Sequence, residues 1–196
     1  MATYFTRTFS EMIQFSPPYV SPIIGTIFLI IAIILIWKYK KNDLSLKFLI
    51  LRLLLVSVSF IYTMGVLIIT RIEAIPWSIY ERVLENKSIF KFSTPQLIPF
   101  DSIIHILNIY GIGTVILGNI LLLLPLGFFL PLWFRNLFNS YVVIFLIILT
   151  STTIEFLQYL FGVGIPNVDD VLLNTIGGGI GYGLLKVIVC FKSTYK

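Results

Sequence analysis

Charge is scarce in this chain. Lys, Arg, Asp and Glu make up 12% of its 196 residues, where a soluble domain carries about a quarter. With 58% hydrophobic residues and a mean hydropathy of +0.98, that deficit excludes a water-soluble globular domain. Cysteine is nearly absent too: Cys190 stands alone, so no internal disulfide is available, and it reads as a small apolar residue ending the last span. His105 is the one histidine, and no His-rich or Cys-rich spacing suits zinc. Neither a nucleophile elbow nor HExxH occurs, and the glycines near residue 180 lack the lysine and hydroxyl of a phosphate loop. The net charge of +5 comes from basic residues lying between apolar runs. It is therefore no nucleic-acid footprint, and the expected surroundings are a lipid bilayer. No small-residue cleavage site follows the first long apolar run, which is expected to remain as a span.

Long apolar runs are what the chain has instead. They predict an all-α integral membrane helical bundle of about five transmembrane helices, at residues 21–37, 46–70, 111–134, 141–161 and 171–191. Trp37 and Tyr39 sit at headgroup level after the first. Residues 1–20 read as a short interfacial helix ending at Pro17 and Pro18, and Pro125 is expected to kink the third span. Arg135 and Asn136 mark a tight connection. One side of the bundle collects Lys38, Lys40, Lys41, Lys47, Arg52, Arg135, Lys186, Lys192 and Lys196, with Asp43 its one acid. The other side holds Arg7, Arg71, Arg82, Lys87, Lys91 and every remaining acid. Basic residues favour the cytoplasm, which places the N-terminus outside, the C-terminus inside, and residues 71–110 and 162–170 outside.

A carboxylate within a span costs about 3 kcal/mol on insertion scales and is seldom idle. Glu155 and Gln158 share one helical face, as do Asp170 and Asn174, on helices joined by the short break GVGIPNVDD. Asn119 lies near the outer end of the third span. These five side chains are expected to line one outward-facing pocket. The 71–110 segment would roof it with amphipathic interfacial helices: Trp77, Tyr80, Val83 and Leu84 opposite Glu81, Arg82 and Glu85, then a stripe of Asp101, His105 and Asn108. Each has a plainer reading. Asp170, Asn167 or Asp169 could simply cap the last helix, and for Asp169 capping or solvation is preferred. Glu155 could be tied structurally to Asn119, Asn174 or a nearby hydroxyl. The glycines at 177, 178, 179, 181 and 183 fit close helix packing, expected to draw the fifth span towards the fourth.

LIPF at 97–100, Asn119 with Pro125 and Gly127, IEFLQ at 154–158, and Asp170, Asn174, Thr175 and Gly177 occur in that order. This succession, over residues 95–185, resembles the VanZ-like family, which is associated with teicoplanin resistance. Many members carry Asp where Asn167 stands and an arginine in the preceding loop. The resemblance divides the chain into residues 1–70, with two spans, and a VanZ-like domain at 71–196. It implies a cell-envelope role in a bacterial cytoplasmic membrane, lowering sensitivity to teicoplanin-type glycopeptides by acting on or binding a lipid-linked cell-wall precursor or other envelope component. In that role Glu155 and Asp170 are the catalytic candidates, and Asn119, Gln158, Asn174, Asp101 and His105 the substrate-binding ones. Whether the chain is an enzyme stays open beside a non-catalytic scaffold. A transporter fits less well, since five spans do not divide into two equal repeats. No cofactor or metal is assigned, with a hard divalent cation on carboxylate oxygens the minor alternative.

Overall fold

The computed structural model describes residues 20–42, 45–110, 114–134 and 139–194. The interfacial helix expected within residues 1–20 and the connection at Arg135 and Asn136 lie outside the described residues. What is described is helical: α1 (Val20–Asn42), α2 (Leu46–Ile69), a 3-10 turn (Ile72–Ala74), α3 (Ile75–Leu84), α4 (Asp101–Tyr110), α5 (Thr114–Trp133), α6 (Ser140–Phe161) and α7 (Val168–Thr194). Helices are the expected answer for apolar segments, because each satisfies its own backbone where no water can. Among the described residues four helices are long and apolar enough to cross a membrane: Leu46–Ile69, Val115–Trp133, Ser140–Phe161 and Val168–Cys190. The expected first span falls on α1, whose side chains are described over residues 24–40. α5 continues as one helix through Pro125 and Pro131. α7 starts before the expected position 171, so Asp169 and Asp170 occupy its first turn, where acids complement the helix dipole.

The chain forms two compact units, Met1–Glu81 and Arg82–Lys196. In the first, α1 and α2 form a hairpin, with the Phe28 and Phe60 rings edge to face at 5.0 Å. Ser45 caps α2 by accepting the Phe48 N–H at 3.3 Å. Its last turn closes with Thr70, whose hydroxyl donates to the Val66 carbonyl at 2.8 Å. Arg71 then adopts a left-handed φ of 59° and turns the chain into the 3-10 turn. Within that turn Glu73 is buried, and its Oε2 has no hydrogen-bond partner among the described residues. Trp77 donates its indole N–H to Glu81 at 2.6 Å, so these two share a face of α3 rather than opposing each other. Trp77, Tyr80, Val83 and Leu84 are all exposed.

In the second unit α7 packs against both α5 and α6, and most extensively against α5. Leu123, Val143, Ile147, Ile154, Tyr182 and Leu185 form the core between them. Outward-facing residues are just as apolar: Leu121, Phe145 and Ile176 are more than half exposed, the pattern of helices solvated by lipid. The glycines explain the tight α5–α7 contact. A Cβ on Gly177 would strike the Ile120 carbonyl, one on Gly181 the Leu124 carbonyl, and one on Gly127 the Gly178 carbonyl. The fourth-span partner expected for this cluster is met by Gly178 against Ile147 and, in ordinary contact, by Gly179 against Ile144, while Gly183 faces open space. The spacing announced a close approach, and the helix approached is mainly α5.

Two outcomes follow. Gly181→Ala must push apart two backbones, costing about 1–3 kcal/mol as overpacking does, whereas Gly183→Ala should leave the melting temperature in detergent unchanged or slightly raised. Burial raises the Glu73 carboxyl above its ordinary 4.5, opposed only in part by its own backbone N–H and by Arg71. The folded protein thus holds this proton more tightly than the unfolded chain does. The resulting stability is complete below 4.5 and is lost as pH rises through the folded value. Melting temperature measured from about pH 4 to about pH 8 should fall more steeply for wild type than for Glu73→Gln.

Candidate functional site

The outer ends of α6 and α7, as the charge bias reads them, are built by a segment remote in sequence. α6 stops at Gly162, whose φ of 59° is left-handed, and a helix stopping there leaves its final carbonyls without intrahelical donors. Residues 91–93 supply them. Lys91 N–H donates to the Leu160 carbonyl at 2.9 Å and Ser93 N–H to Tyr159 at 3.1 Å. The Ser93 hydroxyl donates to the Gln158 carbonyl at 3.3 Å. Phe90 lies against Phe161 and Phe92 against Tyr159, with ring centroids 5.8 and 5.3 Å apart. Further on, Gln96 forms a parallel bridge with Asn167. Its N–H donates to the Pro166 carbonyl at 2.8 Å, and its carbonyl accepts the Val168 N–H at 3.1 Å.

Asn167, held in this way, organises the polar cluster. Its backbone N–H donates to Glu155 Oε2 at 2.8 Å. Its side-chain oxygen accepts the Asp169 N–H at 3.0 Å, capping α7. Its amide nitrogen reaches Asp170 Oδ1 at 3.4 Å, the same oxygen that accepts Asn119 Nδ2 of α5 at 2.6 Å. Glu155, Asn119 and Asp170, from three helices, therefore gather around one turn, all of them half-buried. Asp169 points elsewhere. It is 1% exposed, and its two oxygens accept the N–H of Phe100 at 2.6 Å and of Ile103 at 3.2 Å. It thereby caps α4 from another helix, where capping of its own helix or solvation was expected.

The other sequence candidates are distributed differently. Asn174 lies one turn deeper, 1% exposed, and donates to the fully buried Ser151 hydroxyl at 2.8 Å. Gln158 lies beside the turn, its side chain filling the space that a Cβ on Gly164 would need. Asp101 is exposed in the first turn of α4, and His105 lies on α4 with its side chain outside the described residues. The Thr150 and Thr153 hydroxyls bond back to the Leu146 and Leu149 carbonyls of their own helix, not to Glu155. The residues the sequence undervalued are Asn167, Asp169, Gln96 and Ser93. An Asn two residues before an acidic pair was the one available signal, and it read as a helix cap. Among the described residues no Lys or Arg forms an ion pair with Glu155, Asp169 or Asp170, and no group of three His, Cys, Asp or Glu side chains converges to hold a metal. The site is an acidic cluster held by neutral amides. Such a set of acceptors suits ligands bearing hydroxyl or ammonium donors.

Apolar helices, the last two carrying half-buried carboxylates that meet an amide of the one before, define a multi-pass membrane protein with a polar cluster. The VanZ/LLP1 family matches residues 59–189, and the chain belongs to that family. The match begins inside α2, well before the motifs at 95–185. Protein VanZ of Enterococcus faecium is 32% identical over 71 residues, covering 35% of this chain and 44% of that protein. The matched stretch thus spans less than half of the relative's length. No solved structure matches the chain.

Asp169→Ala strands two part-buried N–H groups, at an expected cost of about 1–3 kcal/mol. It should appear as a clear drop in melting temperature of the purified protein in detergent. Asp101→Ala, exposed in the first turn of α4, should stay within about 0.5 kcal/mol of wild type.

Proposed function

We propose that Glu155, Asp170, Asn119 and Asn167 form an outward-facing site for a lipid-linked component of the cell envelope. The protein would occupy a bacterial cytoplasmic membrane and lower sensitivity to teicoplanin-type glycopeptides. The observation that carries this reading is the pair of half-buried carboxylates from α6 and α7, bridged by Asn167 through neutral donors alone. Carboxyl groups placed in so apolar a bundle without a cationic partner are expensive as mere struts. A substrate hydroxyl or ammonium approaching from the membrane surface would supply the missing donor. Glu155 would then be the anchor, or the proton acceptor if the bound component is chemically altered. Asp170 would act as its partner, with Gln158 and Asn174 orienting the ligand from the sides. Membership of the VanZ/LLP1 family supports the envelope setting.

A structural reading has its own support. Asp169 spends both oxygens on capping α4, and Asn174 ties α7 to α6 through Ser151. On that view the whole cluster holds helices together. Glu155→Gln separates the two, because it keeps shape and one acceptor while removing the charge. At membrane levels matched to wild type, the variant should lose its effect on teicoplanin susceptibility with its melting temperature nearly unchanged. Full retention of the effect would remove Glu155 from the site. A fall in accumulation or melting temperature would favour the structural reading.

A further inference from the structure

The α1–α2 hairpin carries a second polar feature, in the unit that the acidic cluster does not occupy. Leu35, Lys38 and Tyr39 of α1 and Phe48, Leu49 and Arg52 of α2 line a cavity of about 220 Å3. Basic residues in the intervening loop are what membrane orientation requires. Arg52 is not in that loop. It stands two turns into an apolar helix, roughly 9 Å beyond its start by the helical rise, and its guanidinium lies 5.1 Å from the Phe48 ring centroid. Lys38 likewise belongs to α1. Two cations line one small cavity and repel each other, Lys38 exposed to its mouth and Arg52 half-buried. Among the described residues neither is ion-paired, and the first turn of α2 contains no acid. Among the described residues, then, no acid answers the two cations of this cavity.

Its walls indicate which anion suits it. Leu35, Phe48 and Leu49 give it an apolar side, and the neighbouring Ile34, Leu46 and Ile50 are exposed on the outer surface of the hairpin. The volume is below the range of drug-sized pockets, about 300–1,000 Å3, and suits a phosphate with its glycerol rather than a whole metabolite. We infer that the cavity binds the phosphate of an anionic phospholipid, with Arg52 and Lys38 on the headgroup and the acyl chains running along the exposed apolar face. Tyr39, whose phenol can donate or accept, completes the polar wall. Arg suits phosphate by its planar fork and Lys by its point charge. The end of the hairpin involved is the one the charge bias assigns to the cytoplasm, where anionic lipids concentrate basic segments.

The test uses the full-length chain purified in detergent, with melting temperature followed as phosphatidylglycerol, phosphatidylcholine or inorganic phosphate is added. Phosphatidylglycerol should stabilise the protein, while phosphatidylcholine and inorganic phosphate should not. Lys38→Gln and Arg52→Gln should each weaken the effect roughly fivefold. The double variant Lys40→Gln with Lys47→Gln, which removes two charges outside the lining, should leave it intact. Leu49→Trp, which fills the cavity without changing charge, should abolish it, and this variant decides the matter if loss of Arg52 impairs folding. Equal weakening by the Lys40 and Lys47 pair would reduce the effect to diffuse surface attraction and overturn the site. Stabilisation by inorganic phosphate alone would overturn the lipid. Undiminished binding by Leu49→Trp would overturn the cavity.

Discussion

A carboxylate withdrawn from water must find its hydrogen-bond donors in the protein, because hydrocarbon offers none. The upper part of the α5–α7 bundle is arranged around that requirement. Glu155 takes the backbone N–H of Asn167, Asp170 takes the amide of Asn119, and Asp169 takes two N–H groups from the start of α4. Each acid therefore fixes a different neighbour. The turn between α6 and α7, the end of α5 and the position of α4 follow from where these three groups obtain their donors. All of these donors are neutral, and among the described residues no Lys or Arg is paired with the three acids.

The segment from Phe90 to Phe100 has a complementary role. It has almost no regular structure, yet it meets carbonyls that α6 leaves open and brackets Asn167 from both sides through Gln96. Backbone polar groups at helix ends are the weak points of a membrane bundle, and here they are met by main chain rather than by solvent. Phe90 and Phe92 add aromatic contacts that keep the strip seated. The acidic turn is consequently a built surface with fixed walls. The same strip leads into Phe100, which adopts a left-handed φ of 65° where its N–H meets Asp169.

Much of this was legible in the sequence because membranes make composition decisive. Scarce charge and long apolar runs admit few folds other than helices, and Glu155, Asp170 and Asn119 drew notice as polar residues where polarity is costly. Other features were hidden for physical reasons. Gln96 and Ser93 act through main-chain hydrogen bonds and a single hydroxyl in a segment without periodicity, so no side-chain pattern marks them. Asp169 looked like an ordinary cap because nothing in its own helix shows that its oxygens face α4. The glycine spacing correctly indicated intimate packing but carries no label for the partner. Hydropathy alone puts Trp77 and Glu81 on opposite faces, yet they are one turn apart and an indole N–H bridges that interval.

The backbone contact between α5 and α7 has one more consequence. Gly177 rests on the carbonyl of Ile120, and Ile120 directly follows Asn119. No flexible side chain lies at that contact to absorb a shift, so the two helices mesh like teeth whose pitch is set by main-chain atoms. Sliding by even a fraction of a turn would drive carbonyl into Cα. The alignment of Asn119 with Asp170 is thereby indexed from below, which gives the site a metrical precision that its loops alone could not supply.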